Sequence, residues 1–131
     1  MITLDASVLI AATQPGNIHH EEAIKILSEG LSFTVHPLTL AEFLVYPART
    51  SAKAARKMAA YLEAQDITTN AAVDVDPVDI ALARANYGLK MPDACVLATA
   101  LRTRSTLASF DQSLNEAAIK AGVDLLNNTA S

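Results

Sequence analysis

Short apolar runs, each separated from the next by stretches of helical character, limit this chain's fold more than any other feature. The runs lie at residues 1–5, 32–36, 67–71, 106–109 and 123–126. Strands that alternate with helices pair side by side as a parallel sheet, because each crossover carries the chain back to the starting edge. The helices then cover both faces of that sheet. Helical stretches are expected at 6–13, 17–29, 39–46, 53–64, 76–87, 92–104 and 112–121. Gln14-Pro15-Gly16 stops the first, and Asn17 caps the second, with Ile18, Ala23, Ile24 and Leu27 turned inward. Pro47 closes the third, Asp76-Pro77 opens the fifth, and the sixth presents Val96, Leu97, Ala100 and Leu101 as an apolar face. The expected architecture is α/β, a three-layer α/β/α arrangement on a short parallel sheet of four to five strands.

At 131 residues, with no repeat, low-complexity tract or linker, the chain is expected to form a single domain over residues 1–131. Apolar residues make up 51% and charged residues 18%, which excludes disorder. No apolar run reaches the roughly 18–20 residues of a membrane span. The first residues, M-I-T-L-D-A-S-V-L-I, lack a basic leader, and the lone Cys95 cannot form an internal disulfide, so a cytoplasmic setting is expected. A net charge of −4 gives no overall attraction to nucleic acid. Any such contact must come from a local basic patch or a bound cation.

Four acids stand in otherwise apolar surroundings: Asp5 in I-T-L-D-A-S-V-L-I, Glu42 in L-T-L-A-E-F-L-V, Asp93 in M-P-D-A-C-V-L-A and Asp111 in L-A-S-F-D-Q-S-L. Helix punctuation accounts for each one singly. Asp5 and Asp111 precede helices and suit the N-cap, where Ser113 with Glu116 competes for Asp111's role. Asp93 lies in a first turn, favoured by the macrodipole, and Thr39-Leu40-Ala41-Glu42 reads as a capping box. Punctuation does not account for the apolar context. Several carboxylates buried together repel one another unless a cation compensates them. An all-oxygen set suits Mg²⁺ or Mn²⁺, which can acidify water and steady charge on a phosphodiester.

The four segments, in this order and spacing, resemble the PIN-domain family, and within it the VapC-like toxins of type II toxin–antitoxin systems. The likeness runs from Met1 to the closing V-D-L-L segment. It implies a metal-dependent endoribonuclease with Asp5, Glu42, Asp93 and Asp111 on the acidic positions and Mg²⁺ or Mn²⁺ as cofactor. Asp5 and Asp93 would be direct ligands, Glu42 would orient water, and Asp111 would complete the shell. Ser7 and Ser109 match the family's small hydroxyl positions and would order ligands or water. The same resemblance implies an RNA substrate, a homodimer and a small cognate antitoxin.

Other residues weigh less. His19-His20-Glu21-Glu22 lacks the HExxH spacing and reads as a solvated face rather than a zinc site. His36 reads as structural and Cys95 as a buried small hydrophobe. Arg49, Lys53, Arg56 and Lys57 form the only dense basic group, a solvated face or a phosphate-contacting patch, and Lys90 stands three residues before Asp93. Tyr46 and Tyr61 suit base stacking, a dimer surface or an antitoxin surface. A haloacid-dehalogenase-type phosphatase needs D-x-D where this chain has Asp5-Ala6-Ser7, and a receiver domain needs neighbouring acids and a late lysine. The remaining alternatives are a catalytically inactive binding module on the same fold and an RNA-processing nuclease without an antitoxin.

Overall fold

The structure, a computed structural model, describes residues 1–126. Four strands form one parallel sheet: β1 (Ile2–Leu4), β2 (Phe33–Thr34), β3 (Ile67–Thr68) and β4 (Thr106–Ala108). Their order is β3-β2-β1-β4, so β1 is internal, with Ile2 opposite Phe33 on one side and Thr106 on the other. Beyond β4 the 123–126 run contributes a single parallel bridge, Leu107 to Leu125, in place of a fifth strand. The Leu107 N–H donates to the Asp124 carbonyl at 2.9 Å, and the Leu126 N–H to the Leu107 carbonyl at 2.8 Å.

Seven α-helices are present among the described residues: α1 (Ala6–Thr13), α2 (His20–Ser28), α3 (Pro37–Thr50), α4 (Ala52–Ala64), α5 (Pro77–Tyr87), α6 (Met91–Thr103) and α7 (Gln112–Lys120). Successive strand residues point to opposite faces, and the core divides accordingly. Ile2, Leu4, Phe33, Val35, Ile67 and Ala108 pack with Val8, Leu9, Ile26, Phe43 and Leu62, so α1 to α4 cover one face. Leu107 packs with Ala83, Leu97, Ala100, Leu114 and Ala118 on the other, beneath α5 to α7. The arrangement is the expected α/β/α sandwich. No described helix is long and apolar enough to cross a membrane.

Four local expectations are corrected. Helix α2 begins at His20, three residues later than expected, because the Asn17 carboxamide accepts the His19 N–H at 2.8 Å and closes a turn instead of capping a helix. Ile18 is consequently 91% exposed and Ile24 also faces outward, while Ala23 and Ile26 are the residues that bury. Helix α3 runs through Pro47 to Thr50, with the Ser51 N–H donating to the Pro47 carbonyl at 3.2 Å. Proline removes one helical hydrogen bond there, and packing of this part of α3 against α4 holds the helix together. Ser51 then turns the chain by accepting the Ala54 N–H at 3.0 Å.

The third correction concerns the start of α3. His36, not Thr39, is its cap: His36 Nδ1 accepts the Leu38 N–H at 3.0 Å, and Pro37 takes the first helical position. Thr39 is buried inside the helix, and its hydroxyl has no hydrogen-bond partner among the described residues. The capping box therefore does not form, and Glu42 is released from it. Fourth, α6 buries Ala94 through Ala100 on every side, whereas Leu101 faces solvent. Small side chains at Ala94, Cys95 and Ala98 let the sheet and the neighbouring helices approach α6 all round.

Candidate active site

Asp5 stands immediately after β1, at the N-cap position of α1, yet no side-chain cap hydrogen bond is made there. Asp5 is buried. Ser7 Oγ and Ser109 Oγ both donate to Asp5 Oδ2, at 2.7 Å and 2.8 Å. Each hydroxyl is in turn fixed by a backbone N–H of the segment after β4. Phe110 N–H donates to Ser7 Oγ and Asp111 N–H to Ser109 Oγ, both at 3.0 Å. The ends of the two adjacent strands are thus joined through one carboxylate oxygen. Hydrogen bonds to an ionised group contribute about 1.5–3 kcal/mol each, enough to hold a buried carboxylate in one orientation.

Asp93, in the first turn of α6, is partly buried. Burial above all, and then the charges of Asp5, Asp111 and Glu42, push its carboxyl from 3.8 up to about 6, with Lys90 opposing. Glu42 lies on the exposed side of α3, and burial followed by the charge of Asp5 raises its carboxyl above the usual range. Asp111 caps α7, its Oδ1 accepting the Leu114 N–H at 3.1 Å, so Ser113 does not take that place. The four acids from β1, α3, α6 and α7 therefore interact electrostatically. Asp111 combines capping with a place in the cluster, as two carboxylate oxygens allow.

The remaining singled-out residues divide. Lys90 is exposed at the N-cap position of α6 and close enough to favour ionisation of Asp93. Arg49, Lys53 and Arg56 are exposed on the last turn of α3 and on α4, with Arg49 two turns, about 10 Å, beyond Glu42 along the helix. They do not join the acidic cluster. Cys95 is buried, and burial raises its thiol. His20 Nδ1 lies 2.7 Å from the Ala11 carbonyl and His19 stacks on Phe110, so this pair is tied to the protein rather than simply solvated.

Two contributors escaped the sequence reading. Asn115 is buried on α7 and donates from Nδ2 to the Ser109 carbonyl at 2.9 Å, holding the strand end that carries the hydroxyl. A polar residue within the buried stripe Leu114, Ala117 and Ala118 was the available signal. Phe110 acts through its backbone, which no side-chain pattern announces.

The donor set fits a hard divalent cation: four carboxylates, no thiolate or imidazole among them, and mutual repulsion that an ion would relieve. Among the described residues, no three His, Cys, Asp or Glu side chains are arranged to hold an ion as they stand. Asp5 is the preordered member of the set, and the others would be drawn toward it.

Acids placed where the chain leaves a parallel sheet, on both sides of an internal strand, define an α/β fold with its site at a topological switch point. The chain belongs to the PIN-domain family, whose model matches residues 2–120. No curated protein matches it in sequence. Among solved structures it is similar to a sarcin–ricin-loop-cleaving VapC toxin of Mycobacterium tuberculosis, with 17% identity, 89% of this chain and 95% of that chain covered, and a TM-score of 0.69. FitAcB from Neisseria gonorrhoeae is similar at 21% identity, with 97% of each chain covered and a TM-score of 0.66. A toxin–antitoxin complex from Klebsiella pneumoniae shares 22% identity over 86% of this chain and 88% of that chain, with a TM-score of 0.63. At such identities these likenesses establish the fold.

Proposed function

We propose that the protein is a Mg²⁺- or Mn²⁺-dependent endoribonuclease, the toxin of a toxin–antitoxin pair. In this reading it acts in the cytoplasm as a homodimer and is neutralised by a cognate antitoxin. The observation that carries the catalytic part is the state of Asp5. A helix cap would accept a backbone N–H of its helix, and this carboxylate is instead gripped by two hydroxyls and acts electrostatically on Asp93 and Glu42. The toxin part is supported by the solved relatives, described as a VapC toxin and as a toxin–antitoxin complex.

Asp5 and Asp93 would hold the cation, with Asp111 completing the set. When bound, the cation supplies positive charge against the phosphodiester and a water that loses its proton more readily. Ser7 and Ser109 keep Asp5 oriented, and Asn115 keeps Ser109 in place. Glu42 orients the attacking water; its raised carboxyl suits it to accept a proton. Lys90 beside the cluster, and Arg49, Lys53 and Arg56 farther along, supply the positive charge for phosphate contact that the chain as a whole lacks.

Purified protein is expected to cleave RNA with Mn²⁺ or Mg²⁺ and to stop on chelation. Asp5→Asn should abolish cleavage while leaving the fold intact. An Asp5→Asn protein that cuts as fast as wild type would sink the catalytic assignment. Growth arrest on expression, lost in Asp5→Asn and relieved by co-expression of a neighbouring small gene, tests the toxin assignment. Light scattering tests the dimer.

A further inference from the structure

The turn before α2 brings to the edge of the site a ring that the nuclease reading leaves unused. His19 stacks face to face on Phe110, with ring centroids 4.3 Å apart and planes 5° from parallel. Phe110 follows Ser109 and precedes Asp111, and its N–H bonds the same Ser7 hydroxyl that donates to Asp5. The backbone that carries the Phe110 ring is therefore two hydrogen bonds from the central carboxylate. The geometry of the ring pair is fixed from both sides. Phe110 packs partly buried against the core, while the His19 N–H is held by Asn17 Oδ1 and the neighbouring His20 ring by the Ala11 carbonyl. His19 itself is exposed, so one imidazole face is covered by Phe110 and the other turns to solvent.

A flat ring held rigidly at the surface beside a phosphodiester-cleaving site has an evident use. We infer that the His19–Phe110 pair is a stacking platform for an unpaired nucleobase next to the scissile phosphate, so that single-stranded or looped RNA is the form accepted there. The inference rests on the nuclease reading. Bases within a duplex are stacked on both faces already, whereas an unstacked base offers its face to an aromatic side chain. Stacking tolerates any base, since each has a π-face, so the platform selects for strandedness more than for sequence. Immobilising His19 against Phe110 in advance reduces the ordering cost of binding.

The test uses Asp5→Asn protein and a short single-stranded oligoribonucleotide carrying one fluorescent purine; should Asp5→Asn fail to fold, wild type in chelator replaces it. His19→Ala in this background should weaken binding by roughly 5- to 150-fold, the range seen on removing one stacking residue, and abolish the quenching of the purine. His19→Trp should restore both, with melting curves showing that each variant is folded. In cleavage-competent protein with Mn²⁺, His19→Ala should raise KM far more than it lowers kcat. The platform is overturned if His19→Ala binds as tightly as its parent, if His19→Trp does not rescue, if a duplex probe shows the same His19 dependence, or if the probe does not bind at all. Wild-type protein that cleaves no RNA, combined with His19-dependent binding, would remove the nuclease reading and leave the platform standing.

Discussion

Replacing Asp93 with Asn should make the metal-free protein more stable at neutral pH, not less. Burial and three neighbouring acids hold the Asp93 carboxyl at about 6 in the folded chain, against 3.8 unperturbed. At about 1.4 kcal/mol per unit, that gap corresponds to ~3 kcal/mol as an upper bound. The carboxyl is only partly buried, and solvent screening brings the figure to about 1–1.5 kcal/mol. The sign follows from proton linkage. The folded-state value lies above the unfolded one, so between about pH 4 and 6 the native chain keeps a proton that the unfolded chain has released. Asp93's stabilising contribution is fully present below about pH 4 and lost as pH rises through about 6. Asn cannot ionise and escapes that loss. Thermal melting in chelator should therefore place Asp93→Asn about 3–5 °C above wild type at pH 7.5, with the gap closing toward pH 4. Saturating Mn²⁺ should reverse the order, because only wild type keeps the full acidic set. A gap that is absent at pH 7.5, or that does not change with pH, would refute the electrostatic coupling of the four acids.

Mn²⁺ titrated into wild type should raise its melting temperature in proportion to the logarithm of ion concentration once binding saturates; the rise should vanish in Asp5→Asn, and an equal rise in both would place the ion elsewhere. Ser109→Ala removes a buried donor to Asp5 and the acceptor for the Asp111 N–H, and urea unfolding should show a loss of about 2–3 kcal/mol. Ser7→Ala, less buried, should cost about half as much. Arg104 ends α6 in the left-handed region with φ 53°, so Arg104→Gly should stabilise the protein by about 0.5–1 kcal/mol in the same assay. A loss there would mean that the arginine side chain contributes more than its backbone strain removes.

What could be read from the sequence was local. The run before Asp5 ends on a residue that suits a strand-to-helix junction, and β1, α1, α5 and β4 lie close to their expected places for that reason. At the start of α3 the Thr39–Glu42 box was the signal read, and an earlier start at Pro37 prevails with His36 as cap. Where packing opposed a local rule, packing prevailed, and α3 passes straight through Pro47. The acidic cluster was legible as four acids in apolar settings. The means of holding it was not, because Asp5 is gripped by a hydroxyl 104 positions away in the chain, and periodicity carries no information about such a pair. A long separation in sequence likewise hid the meeting of His19 with Phe110.

Both serine hydroxyls converge on Oδ2 of Asp5, and no hydrogen bond among those described engages Oδ1. That asymmetry bears on which cation the carboxylate can serve. Ca²⁺, larger and content with six to eight oxygens, often takes both oxygens of a carboxylate, whereas Mg²⁺ asks for single oxygens in a tight octahedron. An aspartate with one oxygen already committed to two donors is left to offer a single oxygen. Discrimination against calcium would then be written into two serines rather than into the acids themselves.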